Sequence, residues 1–384
     1  MQLSVIILNY NVRYFLEQCV LSVQGAIKDL DAEIIVVDNH SSDESCEMMK
    51  RRFPDVTLIE SAENSGFPKG NNMGVAHAKG EYICILNPDT VVAEDTFTKV
   101  LNFAKSKTDL GIVGVKLIDG TGNFLPESKR GIPTPFVAFT KIMGLYKLSD
   151  SFGKYYASQL SANQTGKVEI LVGAFMLMKK ETYLEVGGFD ENCFMYSDDI
   201  DLSYMVLRSG KSNYYFHETA VIHYKGESTV RDGLYMKRFR EAMDFFYKKH
   251  FHTSIFFDVF MKTGAFFFSI IKKNQAVVHF RKTDKYLLLS NDKNLAGKVE
   301  NLLEKKVYPI DSTTKNTINS LTTHSTSNAE IIFDNNYWSF KSAIEMMERL
   351  KDDGFTFKML PKSSNFIIGS NSSNDRGEII QISE

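Results

Sequence analysis

The stretch LSVIILNYNVRYFLEQCVLSVQGAIKDLDAEIIVVDN, residues 3–39, decides the fold. It opens on a short apolar run rich in β-branched residues. It then passes through FLEQCVLSVQGAI at helical spacing and closes on a second β-branched run, AEIIVVDN. Strand, helix and strand follow one another. The alternation continues downstream. SSDESCEMMKRRF (41–53) reads as a second helix, with Ser41 and Glu44 spaced as a capping box. VTLIES is a third strand, KGNNMGVAHAKG a third helix closed by Gly80, and EYICILNP a fourth strand. Near-continuous apolar strands alternating with helices specify a parallel, doubly wound sheet. Ligands of such sheets bind beyond the carboxyl ends of the strands, so function is to be sought at the strand exits.

Those exits are polar. Strand one leaves through Asn9-Tyr10-Asn11, strand two through Asp38-Asn39, strand three ahead of Asn64, and strand four through Asn87-Pro88-Asp89. One such exit is an ordinary turn, since Asn, Asp and Pro are turn residues. Four of them on one rim point to a binding site. Asp89 behind the rigid Pro88 suits a hard cation such as Mg²⁺ or Mn²⁺, which takes oxygen ligands and bridges diphosphate oxygens. ENSGFPKGNNMG, with two glycines around Pro68 and Lys69, is either a turn into a helix or a helix N-terminus with a lysine set for diphosphate.

Further on, YSDDIDL places Asp198, Asp199 and Asp201 at a helix start. The ordinary explanation is capping and the helix dipole. The alternative is chemical: crowded carboxylates raise a pKa and make a general base. Helix neighbours point apart, so only one of Asp198 and Asp199 faces a substrate. His223 ends the strand-like AVIHYKGEST, as a structural residue or as a nitrogen that completes a metal site, and the 226–229 loop that follows is placed to close over phosphate.

The whole chain sets the outer bounds. At 384 residues two domains are expected, and 43% hydrophobic with 24% charged residues describes a globular protein. A net charge of −2 argues against a nucleic-acid partner. Cys19, Cys46, Cys84 and Cys193 are far apart without a Cys-x-x-Cys pair, which favours free thiols in a reducing compartment. The N-terminus reads as a strand rather than a signal peptide. No window holds the 18 or so uninterrupted apolar residues of a spanning helix. The nearest, SIFFDVFMKTGAFFFSII (254–271), is broken by Asp258 and Lys262 and flanked by basic residues. Two readings stay open for it: a helix in a membrane interface, or an inter-domain helix packed on protein. Residues 120–165 are looser and make a candidate substrate-facing loop. Beyond about 280 the pattern restarts as a smaller α/β unit, but SNDKN follows its first strand in place of G-x-G-x-x-G, so dinucleotide binding there is unsupported.

Taken in order, SVIILNYN, VVDNHSSDES, NSGFPKGNN, LNPDT, VGAFMLMKK, GGFDENCFMYSDDIDLSYMVLRSG and VIHYKGEST resemble the family 2 glycosyltransferases, most closely the rhamnosyltransferase-type branch that decorates bacterial surface polysaccharides. The resemblance spans roughly residues 1–250. It implies the GT-A fold, a Rossmann-like nucleotide-binding mixed sheet, followed here by a second, smaller α/β domain. The expected division is 1–252 for the transferase, 253–280 for the aromatic linker helix and 281–384 for the C-terminal unit, to which docking or dimerisation is left. It implies that Asp38 recognises the base, with Asn9, Asn11, Asn64, Lys69 and Asn87 around the nucleotide. Asn87-Pro88-Asp89 stands where the family has Asp-x-Asp, so Asp89 bears the metal role without the first carboxylate, and His223 joins it. Asp198-Asp199 stands at the family's Glu-Asp pair, with Asp199 as base. The implied reaction is inverting transfer from dTDP-rhamnose or a UDP-sugar to a glycan or lipid-linked glycan, with Mg²⁺ or Mn²⁺, in the cytoplasm or at the cytoplasmic face of the inner membrane. Two rivals remain. A nucleotidylyltransferase would need a Gly-rich, Arg-containing loop after strand one, which NYNVRYFLEQ lacks. A non-catalytic carbohydrate- or nucleotide-binding scaffold on the same fold is the other.

Overall fold

Asn9 and Asp38 end neighbouring strands at the same level because their strands run parallel in strict register. In the computed structural model, which describes residues 1–134, 137, 156–225, 233–251, 283–310, 328–372 and 377–382, β1 (Leu3–Asn9) pairs with β2 (Ala32–Asp38) from Leu3↔Ala32 to Asn9↔Asp38. On its other side β1 pairs in parallel with β4 (Tyr82–Leu86), and β3 (Thr57–Glu60) extends β2 at the sheet edge. Every residue of β1 and β4 is buried, as strands covered on both faces require. Helices α1 (Arg13–Ile27), α2 (Ser45–Arg52) and α3 (Gly66–His77) connect them.

The sheet then departs from parallel. Its remaining strands are β5 (Thr90–Val91), β6 (Leu110–Ile118), β7 (Gly166–Val168), β8 (Phe175–Lys179) and β9 (Ser212–His223), in the order β3-β2-β1-β4-β8-β6-β9-β5 with β7 on β9. Because β8 is antiparallel to both β4 and β6, the sheet is mixed. Helix α4 (Thr96–Lys105) leads into β6, α5 (Lys180–Glu185) follows β8, α6 (Asp198–Arg208) precedes β9 and α7 (Gly233–His250) follows it. Two local expectations change. The Ser41–Glu44 capping box does not form: α2 starts at Ser45, Asp43 accepts from the Ser45 N–H and hydroxyl, and Glu44 sits at φ +62. Helix α3 spans 66–77, beginning before Lys69 and stopping short of Gly80.

The second unit is also α/β. Strands β10 (Lys285–Leu289), β11 (Val307–Ile310), β12 (Ala329–Asp334), β13 (Thr356–Leu360), β14 (Phe366–Gly369) and β15 (Glu378–Gln381) form a sheet in the order β11-β10-β12-β13-β14-β15. The first four are parallel and the last two antiparallel. Helices α8 (Lys293–Leu303) and α9 (Phe340–Leu350) are capped by the side chains of Asp292 and Ser339. Helix α1 is the layer the two units share. One of its faces packs Leu16, Cys19 and Val23 on β1, and the other sets Phe15 into the core that holds Phe333 and Phe357 of the second unit. The expected helix at 254–271, the 226–229 loop and most of the 120–165 loop's second half lie outside the described residues.

Candidate active site

The rim at the carboxyl ends of the strands is hydrogen-bonded in distinct groups. At the β1 and β2 exits, the Asn9 amide donates to Asp38 Oδ2 at 2.8 Å and to the Ser41 hydroxyl at 3.1 Å. The Ser41 N–H donates to Asp38 Oδ1 at 2.8 Å. Asp38 is thus fixed through both oxygens, each with lone-pair capacity left over, and Asn9 Oδ1 is buried without a hydrogen-bond partner among the described residues. Asn11, at φ +54, accepts from the Ser42 N–H and donates its own N–H to Ser41. Next along the rim, Asn39 bridges to Asn64, Ser65 and Gly66 at the start of α3. Lys69 stands apart from these groups, half exposed and paired with Glu63 at 3.4 Å.

Asp89 and His223 are brought together by strand register. Antiparallel β5 and β9 pair Thr90 with His223, which puts the imidazole beside the preceding carboxylate. His223 Nε2 lies 3.5 Å from Asp89 Oδ1 and 3.4 Å from the Asn87 side-chain amide. The Lys225 N–H donates to Asp89 Oδ2 at 3.1 Å. Burial pushes the Asp89 carboxyl up, but the His223 imidazole and the backbone N–H groups outweigh it and hold the group below its ordinary value. Asn87 Oδ1 and His223 Nδ1 are buried with no hydrogen-bond partner among the described residues. A carboxylate, an amide oxygen and an imidazole with unused donor atoms fit a divalent cation whose shell is completed by phosphate oxygens and water. No group of three or more His, Cys, Asp and Glu gathers among the described residues, so protein ligands alone would leave that shell incomplete.

The acidic helix start sorts its three carboxylates. Asp199 Oδ2 accepts from Arg130 at 2.5 Å and from the Gly173 N–H at 3.1 Å. Asp198, beside it, carries a carboxyl pushed up to about 7, first by burial and then by the Asp199 charge, against the pull of local N–H groups and Arg130. Asp201 turns the other way and is 1% exposed. It is held by Lys249 at 2.8 Å and by His250, both from the end of α7. The segment 172–174 joins this group to Asn87, Asp89 and His223: the Gly173 N–H holds Asp199, while the Ala174 carbonyl accepts from the Asn87 N–H at 3.1 Å. Phe67 of α3 lies against Gly173 and donates its N–H to the Phe194 carbonyl. Arg130 and Gly173 were not singled out from the sequence, and Ser41 was read only as a helix cap. Only the position of Arg130, inside the loop read as substrate-facing, pointed toward it.

Residues 4–187 match the family model described as glycosyl transferase family 2. These residues belong to that family, and the protein is a glycosyltransferase. Among its relatives is the N-acetylglucosaminyl-diphospho-decaprenol L-rhamnosyltransferase of Mycobacterium tuberculosis, 24% identical over 241 residues, covering 60% of this chain and 78% of that one. The rhamnosyltransferase WbbL of Escherichia coli K12 is 27% identical over 168 residues, covering 41% of this chain and 61% of that one. Among solved structures, GalNAc-T7 with UDP, GalNAc and Mn²⁺ superposes with a TM-score of 0.48 at 16% identity, over 64% of this chain and 48% of that one. The glycosyltransferase thus spans about half of that solved chain and under two thirds of WbbL. Family membership and the mixed sheet agree with the GT-A architecture expected from the sequence. The scaffold-only reading gives way to that of an enzyme.

Proposed function

We propose that this glycosyltransferase moves a sugar, with inversion, from dTDP-rhamnose or a UDP-sugar to a glycan or lipid-linked glycan. The observation that carries this is the joining of three groups on one rim: Asn9–Asp38, Asn87–Asp89–His223 and Asp198–Asp199, the last two linked through Gly173–Ala174. The first suits a base, the second a cation with diphosphate, and the third a hydroxyl that must lose a proton. The relatives named as rhamnosyltransferases, one of them acting on a decaprenol-linked sugar by its name, support the donor and acceptor classes.

In the reaction the acceptor oxygen bonds to the anomeric carbon as the bond to the diphosphate oxygen breaks. The electron pair leaves with the nucleoside diphosphate, and the hydroxyl proton passes to the Asp198–Asp199 pair, with Asp199 as the base. Arg130 and the Gly173 N–H aim Asp199. When bound, Mg²⁺ or Mn²⁺ would neutralise the charge on the departing diphosphate, held by Asp89, His223 and Asn87. A lipid-linked acceptor would place the enzyme at the cytoplasmic face of a membrane. No helix among the described residues is long and apolar enough to cross one.

The test is thermal stability against UDP, dTDP, GDP and CMP, each with and without Mn²⁺. A ligand at a hundredfold its Kd adds roughly 2.7 kcal/mol, a shift of several degrees. A Mn²⁺-dependent shift with UDP or dTDP that is lost in Asp89→Ala is expected. Equal stability with every nucleotide would overturn the reading.

A further inference from the structure

The transfer reaction as proposed uses no residue beyond 223, yet the second unit reaches the floor of its site. Val91 and Ile222, which flank Asp89 and His223, and Tyr224, which follows the histidine, belong to the same buried core as Phe333 and Met359 of the second sheet. Tyr224 is 2% exposed and meets Phe15 edge-on at 5.3 Å. The Gln18 side chain stands beside the Tyr224 hydroxyl, and its amide donates to Met359 Sδ at 3.2 Å. Polar fasteners close the border of this contact. Glu94 accepts from the N–H groups of Phe340 and Lys341 at 2.8 Å each, so a carboxylate from the transferase unit occupies the N-terminus of α9. Lys341 reaches Asp95 at 2.7 Å. Gly120 lies so close to the Ser370 carbonyl that an added Cβ would collide with it and crowd the Tyr224 ring.

What the core holds is the backbone that holds Asp89. The Tyr224 N–H donates to the Asp89 carbonyl at 3.0 Å, and the Lys225 N–H to its carboxylate at 3.1 Å. Interiors are close-packed and transmit displacement rather than absorb it, so a shift of Tyr224 moves two of the hydrogen bonds that aim the carboxylate. We propose that the C-terminal unit is a wall of the cation–diphosphate site, and that Tyr224, seated on Gln18 and Met359, is the positioning residue through which it holds Asp89. This rests on the cation role of Asp89 and gives the second unit a function in donor binding that needs no ligand of its own.

The test reads Mn²⁺ affinity in the presence of UDP or dTDP, by the paramagnetic signal of free Mn²⁺ and by thermal shift across a Mn²⁺ titration. Met359→Ala removes support from the far side of the contact, and Tyr224→Phe removes a single oxygen while keeping the ring. Both are expected to need about tenfold more Mn²⁺ for half-saturation, with nucleotide binding in the absence of metal unchanged. Met359→Leu, which keeps the volume, is expected to restore most of the affinity. A merely structural contact would lower Tm equally with and without Mn²⁺ and leave the half-saturation point in place; that result in both variants overturns the inference. Wild-type protein whose nucleotide binding ignores Mn²⁺ would instead overturn the cation role itself. Should Met359→Ala fail to fold, Tyr224→Phe alone decides between these outcomes.

Discussion

Asp198 and Asp199 are neighbours in the chain with opposite surroundings. Asp199 faces Arg130 and the Gly173 N–H, whereas Asp198 is buried against the Asp199 charge and near the Cys193 thiol. Burial and then the Asp199 charge push the Asp198 carboxyl up to about 7. Ionisation of Asp198 adds a like charge beside the proposed base, so transfer rate is expected to rise with pH through about 7 and level off above it. Asp198→Asn removes the like charge, so the inflection should move to lower pH. Asp199→Asn should lose roughly 100-fold or more in kcat while binding nucleotide normally. Rate profiles from pH 5 to 9 check both, and an unmoved inflection in Asp198→Asn would refute the assignment. The same raised pKa bears on stability. The protonated Asp198 is favoured in the fold, so its contribution is present at acid pH and lost as pH rises through about 7. Asp198→Asn is therefore expected to gain Tm over the wild type at pH 8 and little at pH 4. Asp38, Asp89 and the Asp198–Asp199 pair were legible because each stands at a strand exit or a helix start. Arg130 was not, because its partner lies 69 positions away and no local pattern announces it.

At the scale of elements, α6 and α7 are joined by Asp201. Its buried carboxylate takes Lys249 and His250, and Lys249 also reaches Asp190 at 2.7 Å. Around them Tyr204, Phe246 and Phe251 pack ring against ring. Asp201 thus ties the helix after β9 to the helix that carries the proposed proton acceptor, and its carboxylate is engaged by α7. Asp201→Asn is expected to cost roughly 1.5–3 kcal/mol, the worth of hydrogen bonds to a charged group. Chemical denaturation measures this, and Mn²⁺-dependent nucleotide binding should persist in the variant. Destabilisation without loss of kcat would separate Asp201 from Asp199, two positions away. The alternation of strands and helices was readable from β1 to β4 because the fully buried β1 and β4 are almost wholly apolar. The antiparallel entry of β8 was not, since VGAFMLMKK reads as a strand whichever way it runs. The α2 start was misread because Asp43 outcompetes Ser41 for the cap, while Ser41 is engaged by Asn9 and Asn11.

Across the whole molecule, α1 shows why the union of the two units was hidden. Glu17 and Gln18 look like the solvent face of an amphipathic helix, yet they are 2% and 0% exposed. Glu17 is paired with Arg52, which also reaches the Lys362 carbonyl of the second unit, and Gln18 contacts Met359. Burial raises the Glu17 pKa, with Arg52 opposing it, as fits a carboxylate covered by a second domain. A helix apolar or paired on both faces marks a shared layer, but in a lone sequence the polar residues on its outer face conceal it. A shared layer has a thermodynamic consequence. Neither unit can keep its core once the other unfolds, because Phe15, Val91 and Tyr224 would lose Phe333, Phe357 and Met359. Calorimetry is therefore expected to show one cooperative transition for both units, moved as a whole by Mn²⁺ and nucleotide. Phe333→Ala, deep in the second sheet and fully buried, should cost about 3–5 kcal/mol and lower that single transition. Two resolved transitions, with only the first sensitive to nucleotide, would mean that the units are joined in sequence but not in stability.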